Sequence, residues 1–247
     1  MERTGSEAAA SVRATAADYL FSWIDGDRGR MEGCLHPALA KRRLGDGSSG
    51  EHDLVEVSKQ EMVAAAATPH PFDRDARIDV QAIDDDIASA SVRSEPFLDL
   101  LHLARFEDRW LIVNALWASN PIEPATPEAE AGVRQTLEDY AAFPFERDVE
   151  RARRCHHREL RERRAVALGT ADLELEETTL PDVLAIARSG FEGKPASREP
   201  ITDVLDLTAD HASARMDIAW FQVHLHLASF GDGWRIVNIL YRTKADA

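Results

Sequence analysis

The sequence predicts an α+β fold built twice: two tandem domains, each with N-terminal helices packed on a curved antiparallel sheet. Three observations carry this. Residues 102–117 (HLARFEDRWLIVNALW) and 226–241 (HLASFGDGWRIVNILY) are one segment written twice, at an offset of 124. Upstream, Val12, Tyr19, Cys34, His36, Leu39, Arg42 and Arg43 recur 121 residues later as Val133, Tyr140, Cys155, His157, Leu160, Arg163 and Arg164. A repeat of that length is a whole domain rather than a solenoid unit. Within each copy, helical periodicity comes first and alternating strands follow, the segregation that places a helix layer over a sheet. The change of offset gives the second copy three extra residues. The Gly- and Pro-containing stretch 190–195 is their natural place, because surface loops absorb insertions cheaply. The implied organisation is a flexible N-terminus (1–9), a first repeat (10–118), a stiff linker with Pro121, Pro124 and Pro127 (119–131) and a second repeat (132–247).

Taken in order, Val12, Ala16, Tyr19, Leu20 and Trp23 fall at helical spacing and make one apolar face. Gly26 ends that helix. A short second helix over 28–35 turns Met31 and Leu35 inward and stops at His36-Pro37, since the residue before proline disfavours α. Ser58 and Glu61 form a capping box that opens a helix over 59–67. Thr179 and Asp182 repeat it ahead of 180–188, with Gly190 as a C-terminal cap. In the second copy Pro144 stands where Trp23 does and should shorten or kink the first helix. Ile78, Val80 and Ile83 alternate before the Asp84-Asp85-Asp86 turn, and 87–93 returns as a hairpin partner. A second hairpin, 96–106 with 109–117, turns at Glu107-Asp108; its counterpart turns at Gly231-Asp232-Gly233.

Composition narrows the function. The chain of 247 residues is 44% hydrophobic and 30% charged, enough for two cores of ordinary size. A formal net charge of −15 opposes a nucleic-acid or anionic-membrane surface. No apolar run spans a bilayer and no signal peptide opens the chain, so no membrane partner and a cytoplasmic location are expected. Cys34 and Cys155 occupy matching positions, which duplication explains, and a reduced state is expected. The run 147–164 is rich in Arg but carries Glu150–Arg154 and Glu159–Arg163 at i,i+4, the pattern of a solvated, salt-bridged helix rather than an RNA-binding surface.

At this point the residues carry a resemblance. Tyr19, Trp23, Gly26-Asp27, Arg30-Met31, His36-Pro37, Lys41-Arg42, Asp99, His102-Leu-Ala, Trp110, Ile112-Val113-Asn114 and Leu116-Trp117 are similar to the nuclear-transport-factor-2-like superfamily, and more narrowly to its lumazine-binding branch. The resemblance implies cone-shaped, cystatin-like domains with a pocket between helices and concave sheet. It also implies pairing of the two repeats as a pseudo-dimer within the chain, with room for a homodimer. It implies no particular reaction.

For a small-molecule ligand the candidate residues in the first repeat are Tyr19, Trp23, His36, Lys41, Arg42, Asp99, His102 and Trp117. Their counterparts in the second are Tyr140, His157, Arg163 and His226. Asp99 and His102 are the acid/base candidates if the protein is an enzyme, since superfamily relatives use a cavity carboxylate as proton acceptor. Which face of the strand lines the pocket stays open, because Phe97, Asp99 and Leu101 alternate with Leu98, Leu100 and His102. His102 and His226 are also the kind of polar residue that is buried with a hydrogen bond for purely structural reasons. His36 with Lys41, Arg42 and Arg43 reads either as an electropositive rim for an acidic ligand or, more commonly, as a solvated strand edge. His224-x-His226 is a weak metal signal that the first repeat lacks, so no metal is expected. Without a phosphate-cradling Gly-rich loop or a nucleophile elbow, no cofactor is expected either.

Three functions follow. The first is a binding protein whose better pocket lies in repeat 1, for an apolar or aromatic ligand with an acidic group, repeat 2 serving mainly as a packing partner. The second is an isomerase, dehydratase or cyclase. The third is an interaction module with a filled cone. The first is preferred, because no complete acid/base constellation can be assembled from the sequence.

Overall fold

The structure, a computed structural model, describes residues 2–45, 53–168, 172–190, 200–218 and 220–244. The chain divides into two compact units, Met1–Ile122 with Ala167–Glu174, and Glu123–Val166 with Leu175–Ala247. Among the described residues each unit carries three helices and a six-stranded sheet.

In the first unit α1 (Glu2–Asp25) and α2 (Arg28–Cys34) precede β1 (Leu35–Leu44) and β2 (Leu54–Val57). Then come α3 (Lys59–Ala65), β3 (Arg77–Asp84), β4 (Ile87–Arg93), β5 (Phe97–Phe106) and β6 (Arg109–Ser119). The second unit repeats the order with α4 (Pro127–Glu146), α5 (Val149–Cys155), β7 (His156–Leu168), β8 (Asp172–Thr178), α6 (Leu180–Ser189), β9 (Ile201–Leu207), β10 (His211–Ile218), β11 (Phe221–Phe230) and β12 (Gly233–Thr243). Strand order is β2-β1-β6-β5-β4-β3 in one sheet and β8-β7-β12-β11-β10-β9 in the other. Among the described residues the strand pairings are antiparallel except β1 with β6 and β7 with β12, which run parallel.

Local chemistry sets the boundaries. α1 extends upstream over the segment expected as a flexible N-terminus. The α4 helix starts inside the expected linker: Thr126 caps it by accepting from Ala129 N at 3.2 Å, Pro127 occupies the first turn, and Glu128 and Glu130 favour its positive end. Asp27 and Asp148 cap α2 and α5 through side-chain oxygens. Both capping boxes form, Glu61 accepting from Ser58 N at 2.7 Å and Asp182 from Thr179 N at 3.0 Å. Pro144 does not cut its helix. α4 ends at Glu146, the counterpart of Asp25, because a proline in the last turn removes only one ladder bond. Beyond it Arg147 takes the left-handed cap (φ 56°) that Gly26 takes in the first unit (φ 74°). Of the stretch 190–195, expected to hold the three-residue insertion, 191–195 lie outside the described residues; α6, at ten residues against seven in α3, already runs three residues further than its counterpart.

The helix expected over 147–164 ends at Cys155, and the chain continues as β7. The carboxylate that Arg154 finds is Asp139 on α4, bound at 2.8 and 2.9 Å, rather than Glu150. This is where the first repeat also leaves its helix for a strand, so the repeat outweighs the charge pattern.

One irregularity positions the site. In β6 the register jumps between His102↔Asn114 and Leu103↔Ile112, so Val113 is bulged; β12 has the same jump at Val237. Trp110 and Ile112 face the helices before the bulge, and Ala115 does so after it. The bulge thereby shifts the alternation by one residue and carries Trp117 onto the helix-facing side. The first core joins Val12, Ala16, Tyr19, Leu20 and Ile24 of α1 to Leu101, Leu103, Ile112 and Ala115 of the sheet. Cys34 and Cys155, at the ends of α2 and α5, are buried free thiols. Among the described residues no helix is long and apolar enough to cross a membrane.

Candidate functional site

Between the helices and the sheet of the first unit lies a cavity of about 180 Å³, lined by Tyr19, Leu20, Trp23, Lys41, Val57, Met62, Phe97, Asp99 and Trp117. Each wall has a sequence reason. Tyr19 and Trp23 are one turn apart on the apolar face of α1. Phe97 and Asp99 are alternate residues of β5, so they share a face, and the β6 bulge brings Trp117 opposite them.

The polar floor is a closed triangle. Lys41 Nζ is 2.6 Å from Asp99 Oδ1, Tyr19 OH donates to the same oxygen at 2.7 Å, and the ammonium also donates to the Tyr19 hydroxyl. All three are buried, with Lys41 6% and Asp99 2% exposed. Burial lowers the Lys41 ammonium below its usual range, opposed by the Asp99 charge. Burial, reinforced by Asp99, pushes the Tyr19 phenol well up. The ammonium lies 4.7 Å from the centre of the Trp117 ring and 5.1 Å from that of Tyr19. Lys41 is therefore neither a rim residue nor a solvated edge: β1 is an interior strand, between β2 and β6.

The upper wall is aromatic. Trp23 stacks on His70 at 3.9 Å and on Phe72 at 5.2 Å, and meets Phe97 edge-on at 5.3 Å; Phe97 in turn meets Trp117 at 5.1 Å. The Trp117 indole Nε1 is buried and has no hydrogen-bond partner among the described residues. Leu20, Val57, Met62, His70 and Phe72 are participants that sequence reasoning missed. The first three read as ordinary core residues, and the last two sit in a loop without periodicity.

Of the candidate residues, Tyr19, Trp23, Lys41, Asp99 and Trp117 come together. His36, Arg42 and His102 do not line the cavity. His36 stacks on Phe106 at 4.5 Å, as His157 does on Phe230 at 4.7 Å. Arg42 binds Glu56 across the β1–β2 register at 2.7 Å. His102 is fully buried on the other face of β5, with Nδ1 3.3 Å from Asn114 Nδ2. His226 repeats that contact with Asn238.

The second unit has a smaller cavity of about 100 Å³ at the equivalent place, with Tyr140 for Tyr19, Pro144 for Trp23, Glu162 for Lys41, Phe221 for Phe97 and Tyr241 for Trp117. Val223 replaces Asp99. His157, Arg163 and His226 are not among its lining residues. Among the described residues there is no group of three or more His, Cys, Asp or Glu arranged to hold a metal ion.

A family model described as "Putative lumazine-binding" matches residues 7–118 and again 128–242. Among solved structures, an NTF-2 like protein of unknown function from Silicibacter pomeroyi is 20% identical, covering 47% of this chain and 98% of that one with a TM-score of 0.40. A similar protein of unknown function from Shewanella baltica is 14% identical over 47% of this chain and 96% of its own, TM-score 0.38. A cystatin-like fold protein from Burkholderia xenovorans is 18% identical over 45% and 90%, TM-score 0.32. No curated protein matches the chain.

Proposed function

Because the chain belongs to this lumazine-binding-like family in both halves, we propose that it binds a small molecule, and that the first unit's cavity takes a planar one- or two-ring aromatic compound. The carrying observation is the cavity itself: aromatic walls from Trp23, Phe97 and Trp117 above a polar floor of Lys41, Asp99 and Tyr19. At about 180 Å³ it is smaller than drug-sized pockets, which run from roughly 300 Å³ upward, and this limits the ligand to one or two rings.

The floor specifies an edge. Tyr19 and Asp99 use two of the three Lys41 ammonium protons, leaving one donor. Asp99 Oδ1 accepts both of its bonds, leaving Oδ2 as an acceptor beside that donor. Adjacent donor and acceptor match a cyclic amide or imide edge, such as that of a pteridine-dione, better than a free carboxylate, which would meet the Asp99 charge. An acid/base reading would pair Asp99 with His102, and His102 lies on the opposite strand face, held by Asn114. Binding is the reading these contacts support.

Isothermal titration with lumazine tests it. Measurable binding is expected, weakened at least tenfold by Trp23→Ala and by Trp117→Ala, since stacking on one aromatic wall contributes about 1–3 kcal/mol. No binding, or binding indifferent to both variants, would sink the assignment.

A further inference from the structure

The second cavity reverses the chemistry of the first. Glu162 stands at the Lys41 position and is 8% exposed, and the Asp99 position holds Val223, so no ionic partner comes with it. Among the described residues the Glu162 carboxyl meets burial and the charge of Asp182, with no hydrogen bond or ion pair of its own. The groups facing it from the packed elements give it no positive charge: Tyr140 from α4, Cys155 at the end of α5, Asp182 from α6 and Tyr241 from β12. Around it Tyr140, Phe143, Phe145, Phe221 and Tyr241 line the cavity. A carboxyl without a partner in an aromatic enclosure is a half-built recognition site. What it lacks is a cation with N–H donors, and the ring faces favour a cation as well.

The geometry points to a second ligand site in this unit, for a small organic amine whose ammonium group binds Glu162 while its apolar part fills the aromatic cavity. The volume of about 100 Å³ admits a single ring. Burial and the Asp182 charge raise the Glu162 carboxyl to about 8, so near neutral pH the empty site is protonated. Binding an ammonium ion expels that proton to solvent, and the Glu162 carboxylate and the ammonium form the ion pair. This site stands or falls independently of the one in the first unit.

The probe is benzylamine, titrated calorimetrically into the full chain from pH 6 to 9, with benzyl alcohol as the neutral isostere. Affinity should rise about tenfold per pH unit below 8 and level off above it, with close to one proton released per ligand at pH 7. Benzyl alcohol should bind at least tenfold more weakly at pH 8.5, and Glu162→Gln should abolish benzylamine binding. That variant removes a buried ionisable group, so it should fold, and its thermal transition provides the check. Benzylamine failing to bind at any pH, benzyl alcohol binding equally well, affinity falling as pH rises, or Glu162→Gln binding unchanged would each overturn the proposal.

Discussion

The two units place a cavity in the same position of the same topology, and they line it with different polar groups. In the first, Lys41, Asp99 and Tyr19 close on one another; in the second, Glu162 lines the cavity with Tyr140, and Val223 stands at the Asp99 position. The framework that shapes both cavities is shared: capped helices, a bulge at Val113 or Val237, aromatic residues at equivalent places. Two positions, 41 with 99 and 162 with 223, set the polar chemistry of each cavity. Duplication of such a fold can thus keep the container and change the contents.

The strongest way to break the comparison is to give the first unit the second unit's residue. Asp99→Val leaves Lys41 buried without its carboxylate, and breaking a buried pair in this way costs about 3–5 kcal/mol. Urea denaturation should show that loss, and a loss below about 1 kcal/mol would mean the triangle does not hold the unit together.

Next in size is a pH dependence confined to the second unit. The Glu162 pKa rises on folding from 4.5 to about 8, so the native state holds the proton more tightly than the unfolded chain. Stability from this group is complete below about pH 4.5 and declines as pH climbs toward 8, by about 1.4 kcal/mol per pH unit. Urea titrations across that range should show the slope in wild type and a flatter profile in Glu162→Gln; equal slopes in the two proteins would refute the burial argument.

The smallest test sharpens the comparison at a helix. A Cβ on Gly132 would come within 2.4 Å of the Trp234 ring, whereas its counterpart Ser11 is exposed. Gly132→Ala should therefore cost about 1–3 kcal/mol by overpacking despite better helix propensity, and Ser11→Ala should change stability by less than about 0.5 kcal/mol. Thermal melts of the two variants distinguish them, and a neutral Gly132→Ala would show that α4 shifts freely.

What the sequence made legible was whatever local rules govern. The duplication, the capping boxes at Ser58 and Thr179, and the apolar face from Val12 to Trp23 all rest on short-range spacing. Five of the eight first-repeat candidates meet at the cavity: a turn of helix sets Tyr19 and Trp23 side by side, while Lys41, Asp99 and Trp117 come from three different strands. What stayed hidden depends on distant partners. Lys41 sits in a Lys-Arg-Arg run that reads as solvated, and its burial follows from Asp99, 58 residues away. The parallel pairing of β1 with β6 leaves no trace in strand alternation, which His36-Pro37 interrupts. Simple alternation would also have put Trp117 on the wrong face, since it cannot anticipate a bulge.

Cys34 and Cys155 give the duplication a practical use. Burial pushes the Cys34 thiol up to about 12 and raises Cys155 further still, and the thiolate is the nucleophile. Neither sulfur can be alkylated while its unit stays closed. Each unit thus has one intrinsic reporter of its own opening, and peptide mapping after a maleimide pulse would time the two events separately in a single unmodified chain.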